Sequence, residues 1–293
     1  MRVFVTGATG FIGSAVVREL LGAGHSVLGL ARSDAGAKSL TALGAQVHQG
    51  DLKDLESLRT GAAAADAVIH CAFIHDFSNF KENCEIDGRA IEALGDALAG
   101  SGRTLIVSTG TGALSPGRLA TEDMEAPLHP AMPRVSEQTG LAQLSRGVNV
   151  SVVRLPQVHD TVKQGLVTYA IQMAREKGVS AYIGDGHNRW PAAHVDSVAQ
   201  LYRLALEKHE AGSKYHAVAE EGVSVREIAE VTGRGLKVPV VSLTPEAAQA
   251  HFGWLAMFAG LDMPASSAQT RQKLGWNPAG PGLIEDLNNM RYF

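Results

Sequence analysis

Cysteine is nearly missing from this chain: Cys71 and Cys84 are the only two in 293 residues. Neither sits at a metal-ligand spacing, and two isolated thiols cannot build a disulfide scaffold, so no metal site is expected. They read as reduced thiols of a cytoplasmic protein. Aromatic residues are few, 5% of the chain. No apolar run approaches the length of a membrane span. No basic run stands out and the formal net charge is −4, which argues against nucleic acid as a partner. The chain enters a strand at once, without a charged leader and apolar stretch, so no signal peptide is expected. Short-period repeats and low-complexity segments are missing too. What is present is 45% hydrophobic and 19% charged residues, enough for one large α/β domain with or without a small lobe.

The stretch that organises the chain lies at its start. Arg2 to Thr6 reads as a short buried strand. Gly7, Gly10 and Gly13 follow at intervals of three, with Thr9 between. From Phe11 the pattern turns helical, with Ile12, Val16 and Leu20 on one face. Strand, glycine turn and helix together form a dinucleotide-binding signature. Gly7 permits the tight turn, Gly10 lets backbone approach a pyrophosphate, and Gly13 lets helix and strand pack closely. The phosphates would sit at the helix N-terminus, where free N–H groups and the positive dipole end point at them.

Strands and helices then alternate. Further strands are read at Ser26–Ala31, Gln46–Gln49, Ala67–Cys71, Thr104–Ser108 and Ser151–Leu155, with a long helix through Ile86, Ala90, Leu94 and Leu98. This implies an α/β fold, a doubly wound parallel sheet covered on both faces. After Pro156 the rhythm changes. A helix is read over Gly165–Lys177, a turn-rich stretch over Tyr182–Trp190, and another helix from Asp196. Ser224 and Glu227 form a capping-box pair, Thr244-Pro245 opens a further helix, and the rest reads as irregular. The expected division is a dinucleotide-binding domain over residues 1–156, to which 187–218 return, and a smaller substrate lobe from 157–186 and 219–293.

Together these segments resemble the short-chain dehydrogenase/reductase superfamily, in its extended, epimerase/dehydratase-like branch, whose core is a Rossmann sheet. Gly50-Asp51-Leu52 resembles the family's acidic turn after the third strand, which implies that Asp51, beside Leu52, bonds the adenine. His70-Cys71-Ala72, with Phe73 next, stands where the family has a small-residue segment beside the cofactor. Asp87 stands where the family usually has Asn. Arg189 to Asp196 resembles the aromatic–His–Val–Asp return to the main sheet, and Leu274-Gly275-Trp276-Asn277-Pro278 the C-terminal Leu-Gly-Trp-x-Pro. The resemblance also implies that a homodimer, through the Ile86–Leu98 and Val135–Leu144 helices, is open to this chain.

The departures bear on mechanism. The family's catalytic Tyr-x-x-x-Lys is missing. Its helix region reads His129-Pro130-Ala131-Met132-Pro133-Arg134-Val135-Ser136-Glu137, without tyrosine or lysine. With Glu137 at the family's Glu position, His129 falls at the tyrosine and Pro133 at the lysine, loose by a residue or so. Gly110 stands where the catalytic Ser would be. Four candidates could supply the proton instead: His159, Ser108, Thr109 and His129. His159 follows Pro156 where the family's chain passes the nicotinamide, and a histidine there can donate near neutral pH; a hydrogen-bonded loop histidine is the plain alternative. Ser108 and Thr109 end a buried strand and can equally satisfy backbone. His75, Asp76 and Lys163 could line a cleft or only face solvent, and Tyr169 reads as core or rim.

The cofactor expectation is NADP. The acidic residue about 20 positions past the glycines, which takes the ribose of NAD, is replaced by Ala31. Arg32 follows, able to grip the extra phosphate, and Ser33 adds a hydroxyl. Asp34 is read as starting the next helix. The expected activity is hydride transfer to a small aldehyde or ketone. Nucleotide-sugar epimerisation or dehydration ranks lower, because the well-known enzymes of that type rely on the missing tyrosine pair. A non-catalytic regulator sensing NADP is the other alternative.

Overall fold

Runs of β-branched residues buried on both faces build the central sheet. The computed structural model describes residues 1–112, 114–126 and 133–292. Its first half runs β1 (Arg2–Thr6), α1 (Phe11–Gly22), β2 (Ser26–Ala31), α2 (Asp34–Ala42), β3 (Gln46–Gln49), α3 (Leu55–Ala63), β4 (Ala67–His70), α4 (Phe80–Leu98), β5 (Thr104–Gly110), α5 (Ser136–Ala142) and β6 (Asn149–Leu155). After it come β7 (Gln157–His159), α6 (Leu166–Lys177), β8 (Ser180–Ile183), β9 (Arg189–His194), α7 (Val195–Glu207), β10 (Lys214–His216), β11 (Glu220–Ser224) and α8 (Val225–Leu236). The chain ends with β12 (Val240–Leu243), α9 (Pro245–Phe252), α10 (Ala256–Ala259), α11 (Ala268–Leu274) and α12 (Leu283–Asn289).

The seven-stranded sheet has the order β10-β6-β5-β4-β1-β2-β3, with every pair parallel. Order reverses beside β1, which puts the ligand crevice at the carboxyl ends of β1, β2 and β4. One face is covered by α1 and α7, whose Val16, Val17, Leu20, Val198 and Leu201 share a core with Val3 and Val5. The other is covered by α3 and α4, with Leu58, Ile91 and Leu94 against Phe4 and Val68. Each fully buried aliphatic side chain contributes roughly 1.5–3 kcal/mol.

Two smaller sheets, β11-β9-β7 and β12-β8, accompany the main one, so β9, in the 187–218 segment expected to return to the main sheet, pairs outside it. A second core gathers Val167, Ile171, Trp190, Ile228, Phe252 and Leu283. Ser224 caps α8 by accepting from Glu227 N at 3.5 Å, and Thr244 caps α9 by accepting from Ala247 N at 3.3 Å. The turn-rich stretch 182–190 ends in strand on both sides, with 184–188 as the link between β8 and β9. The tail read as irregular carries α11 and α12, and Leu274 and Trp276 join the core of the main sheet.

A buried polar network ties the outer edge of the sheet to its surroundings. Arg154 on β6 makes a two-pronged pair with Glu137, at 2.8 and 2.6 Å. The same guanidinium donates to Glu122 O, Met124 O and His216 Nε2. His216 Nδ1–H donates to Ser266 O at 2.8 Å.

Candidate functional site

The glycine turn has the spatial demands its sequence implies. Gly7 sits at φ 67°, and a Cβ there would lie 2.8 Å from Ala72 N. A Cβ on Gly13 would fall 2.0 Å from Gly7 O. Gly10 is different: a Cβ would meet only Gly7 O, at 3.1 Å, with open space beyond. Thr9 and Gly10 are exposed, Phe11 and Ile12 half-buried. No side chain caps α1, and its first hydrogen bond is Ser14 N to Gly10 O. The first-turn N–H groups are therefore left for a ligand. The donor set and the clearance at Gly10 both suit a pyrophosphate.

At the neighbouring strand ends, Ala31 is fully buried while the Arg32 side chain is 80% exposed. Arg32 Nε lies 3.9 Å from Asp51 Oδ2, a weak surface pairing that leaves the guanidinium free to turn. Ser33 caps α2, accepting from Gly36 N at 3.2 Å, and Asp34 occupies its first turn as read. The Ser33 hydroxyl proton remains available to donate. Asp51 Oδ1 accepts from Lys53 N at 2.9 Å, and Leu52 beside it is half-buried.

Beneath the crevice runs a buried chain of hydrogen bonds. Ala72 N donates to Thr6 Oγ1, which contacts His70 Nδ1 at 2.8 Å. His70 Nε2 contacts Asp87 Oδ1 at 3.0 Å, Ser136 donates to Asp87 Oδ2, and Arg134 Nε donates to Ser136 Oγ at 2.9 Å. One assignment satisfies every member: Thr6 donates to Nδ1, and Nε2–H donates to Asp87. Burial alone would raise the Asp87 pKa, but the hydrogen bond from His70, with the Arg134 charge and the Ser136 bond, holds it below the ordinary value. This corrects the expectation that Asp87 binds cofactor. It is 1% exposed and its oxygens are committed.

Ser108 is corrected as a proton donor for the same reason. Its hydroxyl donates to His70 O at 2.6 Å and accepts from Tyr202 of α7 at 2.6 Å. Cys71 lies beside this pair, and burial pushes its thiol up to about 12. Tyr202 is likewise raised well above its usual value by burial, so neither supplies an anion. Thr109 is nearly buried on the next residue of β5, and Pro156 is half-buried at the end of β6.

His159 has a different role from the one expected. It is fully buried, its Nδ1 bonded to Asp286 of α12 at 2.7 Å and its ring edge-on to His194 at 5.9 Å. Burial holds its pKa below the ordinary value. A donor sealed from solvent and fixed by Asp286 joins β7 to α12 rather than meeting a substrate. His129 lies outside the described residues.

Sequence reasoning missed Arg134. Its guanidinium lies 3.9 Å over the Phe73 ring, and Nη2 donates to Ser108 O at 3.4 Å. Among the described residues no carboxylate lies within 4.0 Å of it. Desolvation lowers its pKa, yet a guanidinium stays charged. It stands one residue beyond the position matched to the missing lysine, and that signal was in the chain. Around it Phe73 meets His75 at 5.2 Å and Phe80 at 6.1 Å. Packing of the His75 ring and the nearby Arg134 charge together lower the His75 pKa.

The NAD dependent epimerase/dehydratase family model matches residues 3–219, most of the chain and the whole of the seven-stranded sheet. The chain belongs to that family. An uncharacterised Schizosaccharomyces pombe protein is 49% identical over 295 residues, covering 100% of both chains. A Stigmatella aurantiaca ketoreductase of 4-hydroxy-2-methyl-3-oxo-4-farnesyl-3,4-dihydroquinoline-1-oxide is 28% identical, covering 90% of this chain and 84% of its own. The fold of this family member is that of Thermus thermophilus UDP-glucose 4-epimerase, solved with NAD (TM-score 0.77, 22% identity, 100% and 98% coverage). Family membership supplies the dinucleotide-binding frame. The residues that depart from the family pattern are those around Arg134.

Proposed function

We propose that this protein is an NADP-dependent oxidoreductase acting on a small aldehyde or ketone. The observation that carries the reading is a charged, half-buried Arg134 without a carboxylate partner among the described residues, bonded to Ser108 O near the carboxyl end of β5, in a fold whose α1 is left uncapped. When bound, the nicotinamide supplies the hydride that the carbonyl carbon receives. The chain's own part is binding, orientation and polarisation. First-turn N–H groups of α1 hold the pyrophosphate, and Arg32 with Ser33 takes the extra phosphate. Arg134 draws electron density onto the substrate oxygen, a role open to a fixed cation in an enclosed site. The proton that completes the alcohol comes from solvent, with the Thr109 hydroxyl as its proposed relay. The ketoreductase relative is in keeping with this chemistry. The regulator reading is favoured by the missing Tyr–Lys pair, and the sugar-nucleotide reading by the family frame.

Two measurements test the proposal. Calorimetry on the wild type and on Arg32→Ala is expected to show NADPH bound more tightly than NADH. The substitution should weaken NADPH by roughly tenfold or more and leave NADH nearly unchanged. Equal losses for both cofactors would remove Arg32 from phosphate recognition. Steady NADPH consumption with a panel of aldehydes excludes the regulator. Conversion of UDP-glucose without net NADPH loss replaces the reductase by the epimerase reading.

A further inference from the structure

We propose that the substrate is a planar, conjugated aldehyde or ketone, its ring system held by Phe73, Phe77, Tyr169 and Trp254 and its oxygen by Arg134. This deepens the carbonyl reductase reading and rests on it. The chain is poor in aromatic residues, with eight Phe, five Tyr and three Trp in all. Six of these rings nonetheless gather in one place. Phe77, in the loop after β4, stacks on Trp254 with centroids 4.0 Å apart and planes 6° from parallel. Tyr169 of α6 stands edge-on to both, at 5.9 and 5.1 Å. Phe80 and Phe258 close the group at 5.5 and 6.5 Å from Phe77. The cluster therefore joins the carboxyl end of β4 to α6 and to the segment leading into α10.

Mere cement between main sheet and lobe would be sealed, as Trp190 and Trp276 are, each 2% exposed. Phe73, Phe77, Tyr169 and Trp254 are instead half-buried. Phe73 also carries Arg134 on its face, so the cluster ends in a fixed cation. In the proposed slot a flat molecule would lie against the half-exposed rings with its oxygen at the guanidinium. Phe77 on Trp254 shows the stacking geometry that a planar guest would take over. An aliphatic chain gains burial in such a slot but no stacking.

The test is binding of cinnamaldehyde and of nonanal, which have the same number of carbons. Calorimetry is run on the protein alone and loaded with oxidised dinucleotide, so that no turnover intervenes. Cinnamaldehyde should bind about tenfold more tightly than nonanal. Trp254→Leu should abolish that preference without changing dinucleotide affinity, and Trp254→Phe should keep most of it. Arg134→Gln should weaken both aldehydes. Equal affinity for the two aldehydes, no binding of either, or unchanged cinnamaldehyde binding in Trp254→Leu would overturn the proposal. Preferred cinnamaldehyde binding without consumption of NADPH leaves the slot standing and defeats the reductase reading. Reduction of both aldehydes with no preference does the reverse.

Discussion

At the scale of single residues, burial decides what the titratable groups can do. His216 accepts from Arg154 at Nε2, which requires the neutral ring, and donates from Nδ1 to Ser266 O. Burial, with the Arg154 charge adding to it, lowers its pKa from 6.5 to about 4. Between those values the unfolded chain holds a proton that the folded chain lacks, so acid favours unfolding. The associated stability is complete above pH 6.5 and is lost as pH falls towards 4. The span corresponds to about 3 kcal/mol. Urea midpoints measured from pH 7 to pH 4 should therefore fall in the wild type and fall less steeply in His216→Gln. Parallel curves would assign the acid sensitivity elsewhere. The same principle explains which candidates were readable from sequence. The placement of Arg32 and Ser33 just past the end of β2 was legible because it follows from a count along one strand. Ser108 and His159 were misread because their partners, Tyr202 and Asp286, stand 94 and 127 residues away. No local pattern announces such a pairing. Arg134 went unread because the segment was matched against a tyrosine and a lysine that it does not contain.

At the scale of elements, the glycine turn separates two consequences that the motif alone runs together. A side chain at Gly13 collides with Gly7 O, whereas one at Gly10 enters space that the fold leaves open. Gly13→Ala should cost folding stability, seen as a lowered thermal midpoint, since backbone cannot yield as a flexible side chain can. Gly10→Val should keep the wild-type midpoint and lose dinucleotide binding, measured by calorimetry. A Gly10→Val variant that still binds NADPH normally would place the phosphates elsewhere. Six of the seven strands of the main sheet were read, most of them as apolar runs buried on both faces that need no partner to be recognised, while the three-residue β10 was not. Caps at Ser224 and Thr244 were legible because their logic spans three residues. The helices α11 and α12 were not. Each has seven residues, too few for a periodic face to show, and packing rather than propensity holds them.

At the scale of the whole molecule, long-range bonds tie the C-terminal segment back to earlier elements. Asp286 of α12 accepts from His159 of β7, and Trp276 donates to Ser197 O of α7 at 2.9 Å. Asp286→Ala removes a charge-assisted bond and strands His159 Nδ1, at a cost of about 2–3 kcal/mol. Chemical unfolding followed by tryptophan fluorescence and by far-UV dichroism should shift together to lower denaturant. Divergence of the two signals in the wild type would mean that lobe and sheet unfold separately. The buried chain from Thr6 through His70, Asp87 and Ser136 to Arg134 reaches further than any one of its bonds. Its donors all point towards Asp87, which accepts from both sides. An amide at position 87 would bring a donor where only an acceptor fits, and His70 or Ser136 would then have to change as well. These five positions are therefore expected to tolerate a change of hydrogen-bonding sense only when neighbours change together.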